Sequence, residues 1–246
     1  MIGRCLAASN APGPAPFEII PLTRPALDLT DFAAVEKRFA AERPALVIHC
    51  AALSKSPDCQ ARPDLAQKIN VDVTAHLAAL AADAGFIFFS TDLVFDGREG
   101  NYVETDAVNP ISIYGATKVQ AEQIVLRNPR HTVIRTSLNS GASPGGLSAY
   151  NEQLQAAWRK GQTVNPFFDE FRSPIPASVT ARAVWELAAR RHPELAARIK
   201  PESLREYRGP ARPPDTSLHC AKVQKLLSFP LPGLTSYLRD HPEEPF

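Results

Sequence analysis

The pentapeptide "YGATK" places a phenol, Tyr114, and an ammonium, Lys118, four residues apart. The surrounding stretch "SIYGATKVQAEQIVL" reads as a helix, where positions i and i+4 share a face, so both groups can address one ligand. A tyrosine in water titrates near about 10, and a cation a few ångströms away favours the phenolate and lowers that value. The pair is therefore a way to build a general acid for a carbonyl. An exposed helix with a stray i,i+4 pair is the other reading of the same five residues. A second candidate follows the apolar run "FIFFS", which leads directly into Ser90, Thr91 and Asp92. Ligands of open parallel sheets bind at the carboxyl ends of strands, so hydroxyls there can polarise a carbonyl, or else simply cap a turn. Ala51 and Ala52, after "ALVIHC", are small enough for close backbone approach by a cofactor or for tight strand–helix packing.

These groups need a scaffold to bring them together. The first two thirds of the chain alternate short apolar runs with amphipathic stretches, the pattern of a parallel sheet covered by helices. Strands are predicted at 17–22, 45–50, 86–90 and 132–135. Phe32, Val35 and Phe39 fall at helical spacing after Thr30 and Asp31, either of which can cap the first turn. Residues 64–85 predict a longer helix, ended by Gly85 in a left-handed cap. The expected fold class is α/β, a Rossmann-like parallel sheet with helices on both faces. Beyond Arg135 the rhythm changes and a smaller region begins, so a boundary is expected between 1–137 and 138–246. That region reads as a loop "SGASPGG", a helix "SAYNEQLQAAWRKG", a proline-rich "NPFFDEFRSPIPA" and a helix "SVTARAVWELAARR". An extended "RGPARPPDTS" and two short helices, "CAKVQKLL" and "GLTSYLRDH", follow.

Composition narrows the function classes. With 246 residues the chain can bury a sizeable core, and 27 basic against 26 acidic residues give a net charge of +1. That balance leaves no electrostatic footprint for nucleic acid or an acidic membrane. No apolar run approaches the roughly 18 residues that span a bilayer, and the start lacks the apolar core of a signal peptide, so a cytoplasmic location is expected. The four cysteines, Cys5, Cys50, Cys59 and Cys220, form no C-x-x-C and read as reduced thiols, and no metal site is expected. Twelve glycines against 23 prolines leave little material for phosphate-cradling loops.

The succession "DLTD", "HCAA", "INVD", "STDLVFDG", "YGATK..AE", "VIRTS" and "SP" resembles the extended short-chain dehydrogenase/reductase superfamily, and within it the dTDP-4-dehydrorhamnose reductase family. The likeness runs from about Gly3 to Ala189 and continues loosely through "RPPDTSLHCAKVQKLL". It implies a dinucleotide-binding domain over 1–137, a substrate-binding region over 138–246, and reduction of a 4-keto sugar nucleotide by NADPH or NADH. Tyr114 would donate the proton, Lys118 would hold the nicotinamide ribose and depress the tyrosine pKa, and Thr91 would bond the carbonyl oxygen. The resemblance further implies cofactor contacts at Gly3, Arg24, Asp28, Leu29, Ala51, Ala52 and Asn70, with Arg24 favouring a 2′-phosphate. Substrate contacts are implied at Ser54, Asn139 and Arg172, with a homodimer left open as the assembly.

Members of that family begin with a strand and a G-x-x-G-x-x-G loop that holds the pyrophosphate. Gly3 corresponds to the last of those glycines, so the first strand, the other two glycines, and a strand and helix after "AVWELAARR" are expected to be missing, as in a shortened gene model. Leu93 stands where many of these reductases carry tyrosine. A dehydratase would need an acid–base carboxylate pair, and Asp92 has no following Glu, so reduction is favoured over dehydration or epimerisation. The alternative implied by the same superfamily is a catalytically silent binding subunit, like the regulatory subunit of methionine adenosyltransferase.

Overall fold

A parallel strand covered on both faces reads as a continuous apolar run, and residues 85–91 are such a run. In the computed structural model, which describes residues 1–8, 18–143, 149–163, 170–191 and 221–231, they form β2 (Gly85–Thr91), buried at every position. β2 lies between β1 (Leu46–His49) and β3 (His131–Thr136) in a parallel sheet of order β1-β2-β3. The chain divides into two compact units, one of Ile20–Arg98 and Thr105–Thr136, the other of Met1–Ile19, Glu99–Glu104 and Ser137–Phe246.

The sheet belongs to the first unit. α2 (Phe32–Glu42) starts where Asp31, not Thr30, accepts the Ala34 N–H at 3.0 Å, and stops at Arg43 in the left-handed conformation. Next come α3 (Ser56–Ala61) and α4 (Pro63–Gln67), each opened by a proline in its first turn. The predicted long helix then continues through one π turn, Lys68–Asp72, into α5 (Val73–Leu80). α6 (Ile113–Val125) is the predicted "YGATK" helix. Val35 of α2, Val73 and Leu77 of α5, and Ala121 and Val125 of α6 close over Phe86 and Phe88 of β2, making one core.

Two local expectations are corrected. Residues 18–22 form no strand, because no described strand offers them a hydrogen-bonding neighbour; Phe17 lies outside the described residues. Gly85 is not a helix cap. The helix ends at Leu80, a turn follows, and Gly85 N bonds Ala45 O at 3.0 Å as the buried first residue of β2.

In the second unit, α1 (Ile2–Ala8) packs against α8 (Ala177–Arg191), and β4 (Asn139–Ser140) pairs in parallel with β5 (Ile175–Pro176). α7 (Tyr150–Arg159) and the short α9 (Ala221–Gln224) fall inside predicted helices. Residues 144–146 of the predicted loop, 165–169 of the proline-rich segment, 208–217, 233–241 and Cys220 lie outside the described residues, as does the stretch 192–207 that follows Arg191. Among the described residues no helix is long and apolar enough to cross a membrane.

Candidate active site

Ser112 starts α6 by accepting the Gly115 N–H at 3.1 Å, which fixes the first turn that carries Tyr114. Gly115 is there because nothing larger fits: a methyl at its Cα would overlap the Leu93 carbonyl oxygen and lie 2.9 Å from Pro110 Cβ. The missing side chain lets α6 press its N-terminus onto the short 3₁₀ turn Asp92–Val94, immediately after Thr91. Tyr114, 9% exposed, packs in an apolar pocket with Cys59, Ala66, Leu53, Leu93 and Ile113.

One turn on, Lys118 is only 2% exposed. Its Nζ lies 3.9 Å from the Phe88 ring centroid and, among the described residues, makes no hydrogen bond. Burial holds its pKa down to about 7, against the opposing pull of Glu122 and Cys50. Glu122 is itself committed to Arg135, whose Nη2 approaches Oε2 at 2.7 Å and whose Nε donates to Oε1 at 3.0 Å. An ammonium on a side chain this buried, with donors not taken by the protein, suits a ligand rich in hydroxyl oxygens, such as a ribose.

Thr91 occupies the carboxyl end of β2, as the spacing predicts. Its Oγ1 accepts the Leu93 N–H at 3.2 Å and donates to Asp92 Oδ1 at 3.1 Å. Asn70, in the π turn, is 1% exposed and is no surface amide. Its Oδ1 accepts from Leu53 N at 2.8 Å, while its Nδ2 donates to Leu53 O at 3.1 Å and to Thr117 Oγ1 at 3.0 Å. Asn70 thus ties the segment after β1 to the face of α6 that carries Tyr114 and Lys118, and its polar atoms are occupied in doing so.

Around this centre the first unit arranges the other predicted residues unevenly. Ala51 and Ala52 follow β1 after Cys50, and Ser54 is exposed two residues further on. Asp28 makes an Asx turn, accepting from Thr30 N at 2.9 Å and Thr30 Oγ1 at 2.8 Å, and these bonds lower its carboxyl pKa. Arg24 is largely exposed and 3.9 Å from Asp28, and Leu29 packs half-buried against the core. Three predicted residues belong to the second unit. Gly3 is in the first turn of α1. Asn139 accepts from Thr180 Oγ1 at 2.7 Å and donates to Ser137 O at 3.1 Å, and Arg172 donates to Glu170 at 3.1 Å. Pairing of β4 with β5 and the Ser173 N to Ser137 Oγ bond of 3.2 Å bring Asn139 and the Arg172 segment into one neighbourhood.

Sequence reasoning passed over Gly115, Phe88 and His49. The signal for Gly115 was available, since a glycine inside a helical pattern marks close approach. Phe88 and His49 carried none beyond ordinary strand residues. His49, 4% exposed, bonds Thr74 Oγ1 through Nε2 at 3.1 Å and lies beside Phe88. Among the described residues no cluster of His, Cys, Asp and Glu could hold a metal ion.

Residues 1–197 match the family model of the RmlD substrate binding domain. A dTDP-4-dehydrorhamnose reductase of Sinorhizobium fredii is 28% identical over 271 residues, covering 94% of this chain and 90% of the relative. Methionine adenosyltransferase 2 subunit beta of Bos taurus is 38% identical over 104 residues, 42% of this chain, and this chain spans 31% of that relative's length. Among solved structures, the dTDP-4-dehydrorhamnose reductase of Bacillus anthracis in complex with NADP is 26% identical with a TM-score of 0.71, covering 78% of this chain and 68% of that one.

Proposed function

The chain belongs to the RmlD substrate binding domain family, and from that premise we propose that it reduces a 4-keto sugar nucleotide at the expense of NADPH or NADH. When bound, the nicotinamide cofactor supplies a hydride to the carbonyl carbon. Tyr114 delivers its phenolic proton to the carbonyl oxygen, so the ketone becomes a secondary alcohol. Thr91 Oγ1, fixed by the Leu93 N–H, turns its proton from Asp92 to that oxygen as negative charge develops there. Lys118 holds the nicotinamide ribose through its free donors and, one turn from Tyr114, favours the phenolate left behind.

Asn70 keeps Leu53 and α6 in register rather than touching the cofactor itself. Asp28 and Leu29 meet the adenine, Arg24 the adenosine ribose or its 2′-phosphate, and Ala51 and Ala52 lie under the cofactor, all by resemblance. Gly3 is assigned to the pyrophosphate, and Ser54, Asn139 and Arg172 to the sugar nucleotide, on the same ground; a guanidinium such as Arg172 suits a diphosphate.

The observation that carries this reading is the buried, unbonded Lys118 ammonium one turn from Tyr114. The near full-length match to a dTDP-4-dehydrorhamnose reductase supports the substrate class. The second reading, a silent regulatory subunit, is favoured by the identity to methionine adenosyltransferase 2 subunit beta. NADPH fluorescence titration followed by addition of a 4-keto sugar nucleotide separates them. Binding with cofactor oxidation supports the reductase, binding with no oxidation supports the silent subunit, and no binding at millimolar cofactor contradicts the reductase.

A further inference from the structure

Nothing in the hydrogen-bond pattern aims Lys118, so something else must. Its Nζ rests on the Phe88 ring at 3.9 Å, and the direction of the ammonium follows the placement of that ring. Phe88 pairs in register with His49 of β1, whose imidazole lies beside it at 5.8 Å with 27° between the planes. The imidazole is oriented in turn. Thr74 Oγ1 is 2.8 Å from Asn70 O, which can only accept, so the hydroxyl proton is spent there. His49 Nε2, 3.1 Å from the same hydroxyl, must therefore be the donor, which fixes the tautomer and the ring together. A phenylalanine at this position could stack but could not be anchored.

We propose that His49, oriented by Thr74, is a positioning residue for Lys118: it holds the Phe88 ring on which the ammonium rests and so sets where that ammonium is presented. The π turn then governs the centre twice, through the Asn70 side chain to Leu53 and Thr117, and through the Asn70 carbonyl to Thr74 and His49. The arrangement requires a neutral imidazole, because a second cation beside Lys118 would repel it. Burial first, and Lys118 second, keep His49 neutral down to about 3. The other groups facing Lys118 are Cys50, the residue after β1, and Glu122 of its own helix, the latter neutralised by Arg135 of β3.

The reductase reading supplies the reason the ammonium matters, and the test separates the two ideas by beginning without cofactor. The Lys118 ε-carbon is titrated by NMR in the ¹³C-lysine-labelled protein, its resonance assigned with Lys118→Met. Thr74→Val and His49→Phe release the ring, let water reach the amine and raise its pKa by about one or more, whereas Thr74→Ser keeps the wild-type value. NADPH affinity falls about fivefold or more in Thr74→Val and returns in Thr74→Ser. Unchanged Lys118 titration in a folded Thr74→Val protein overturns the inference, since a purely structural role would cost stability alone. A wild-type protein that binds no NADPH overturns the reductase reading and leaves the titration result standing.

Discussion

Replacing the buried lysine is expected to make the protein more stable and useless at once. In Lys118→Met the side chain keeps its length and loses a charge that the fold disfavours. The fall from an ordinary 10.5 to about 7 corresponds to about 5 kcal/mol spent on keeping the amine charged inside. The ammonium's contact with Phe88, at ~2 kcal/mol for a desolvated pair, disappears with it and leaves a net gain of ~3 kcal/mol. For a chain of this size that is a rise of roughly 6–12 °C in Tm. The pH dependence follows from the direction of the shift. Below about 7 both folded and unfolded wild-type protein carry the proton and the cost is complete. Between there and 10.5 only the unfolded chain keeps it, so wild-type stability climbs with pH and the advantage of the variant shrinks. Urea unfolding near about pH 6 and again near about pH 9 should show that advantage falling by ~3 kcal/mol between them. NADPH affinity of the variant should drop at least tenfold at both. A less stable Lys118→Met protein at the lower pH, or a difference that ignores pH, would refute the picture of an unpaired buried ammonium.

Other expected outcomes follow from the same geometry. Gly115→Ala pushes a methyl against the Leu93 carbonyl and Pro110, lifts α6 from the Thr91 turn, and costs ~1–3 kcal/mol in denaturant unfolding together with a larger fall in kcat than in NADPH affinity. Asn70→Asp sets a carboxylate oxygen against Leu53 O and Thr117 Oγ1 in a site 1% exposed, which should destabilise the fold by ~3 kcal/mol or more, whereas Asn70→Gln disrupts by size alone. From 6.5 down to about 3 the unfolded chain takes up a proton that folded His49 refuses, so wild-type stability falls with acid across that window. His49→Gln should remove that part of the slope in pH-dependent unfolding.

The sheet and the reacting helix were legible because their signals are local. β2 announces itself as an apolar run ending in hydroxyls, and α6 as an amphipathic stretch opened by Ser112. The misread elements depend on partners. Residues 18–22 have the composition of a strand, but a strand exists only beside a hydrogen-bonding neighbour, and Gly85 is as suited to a strand start paired with Ala45 as to a helix cap. Within the site, Tyr114 and Lys118 could be paired from their spacing. The work of Asn70 could not, because its partners are 17 and 47 residues away. His49 looked like one more strand residue until the register set it beside Phe88 and the π turn set Thr74 against it.

The central claim is that Tyr114 supplies the proton while Lys118 holds the cofactor, and Tyr114→Phe divides the two tasks. Cofactor oxidation by a 4-keto sugar nucleotide, measured beside NADPH binding on the same preparation, should show turnover at least about a hundredfold lower in the variant, with NADPH affinity within about twofold of wild type. Turnover equal to wild type in Tyr114→Phe would contradict the account.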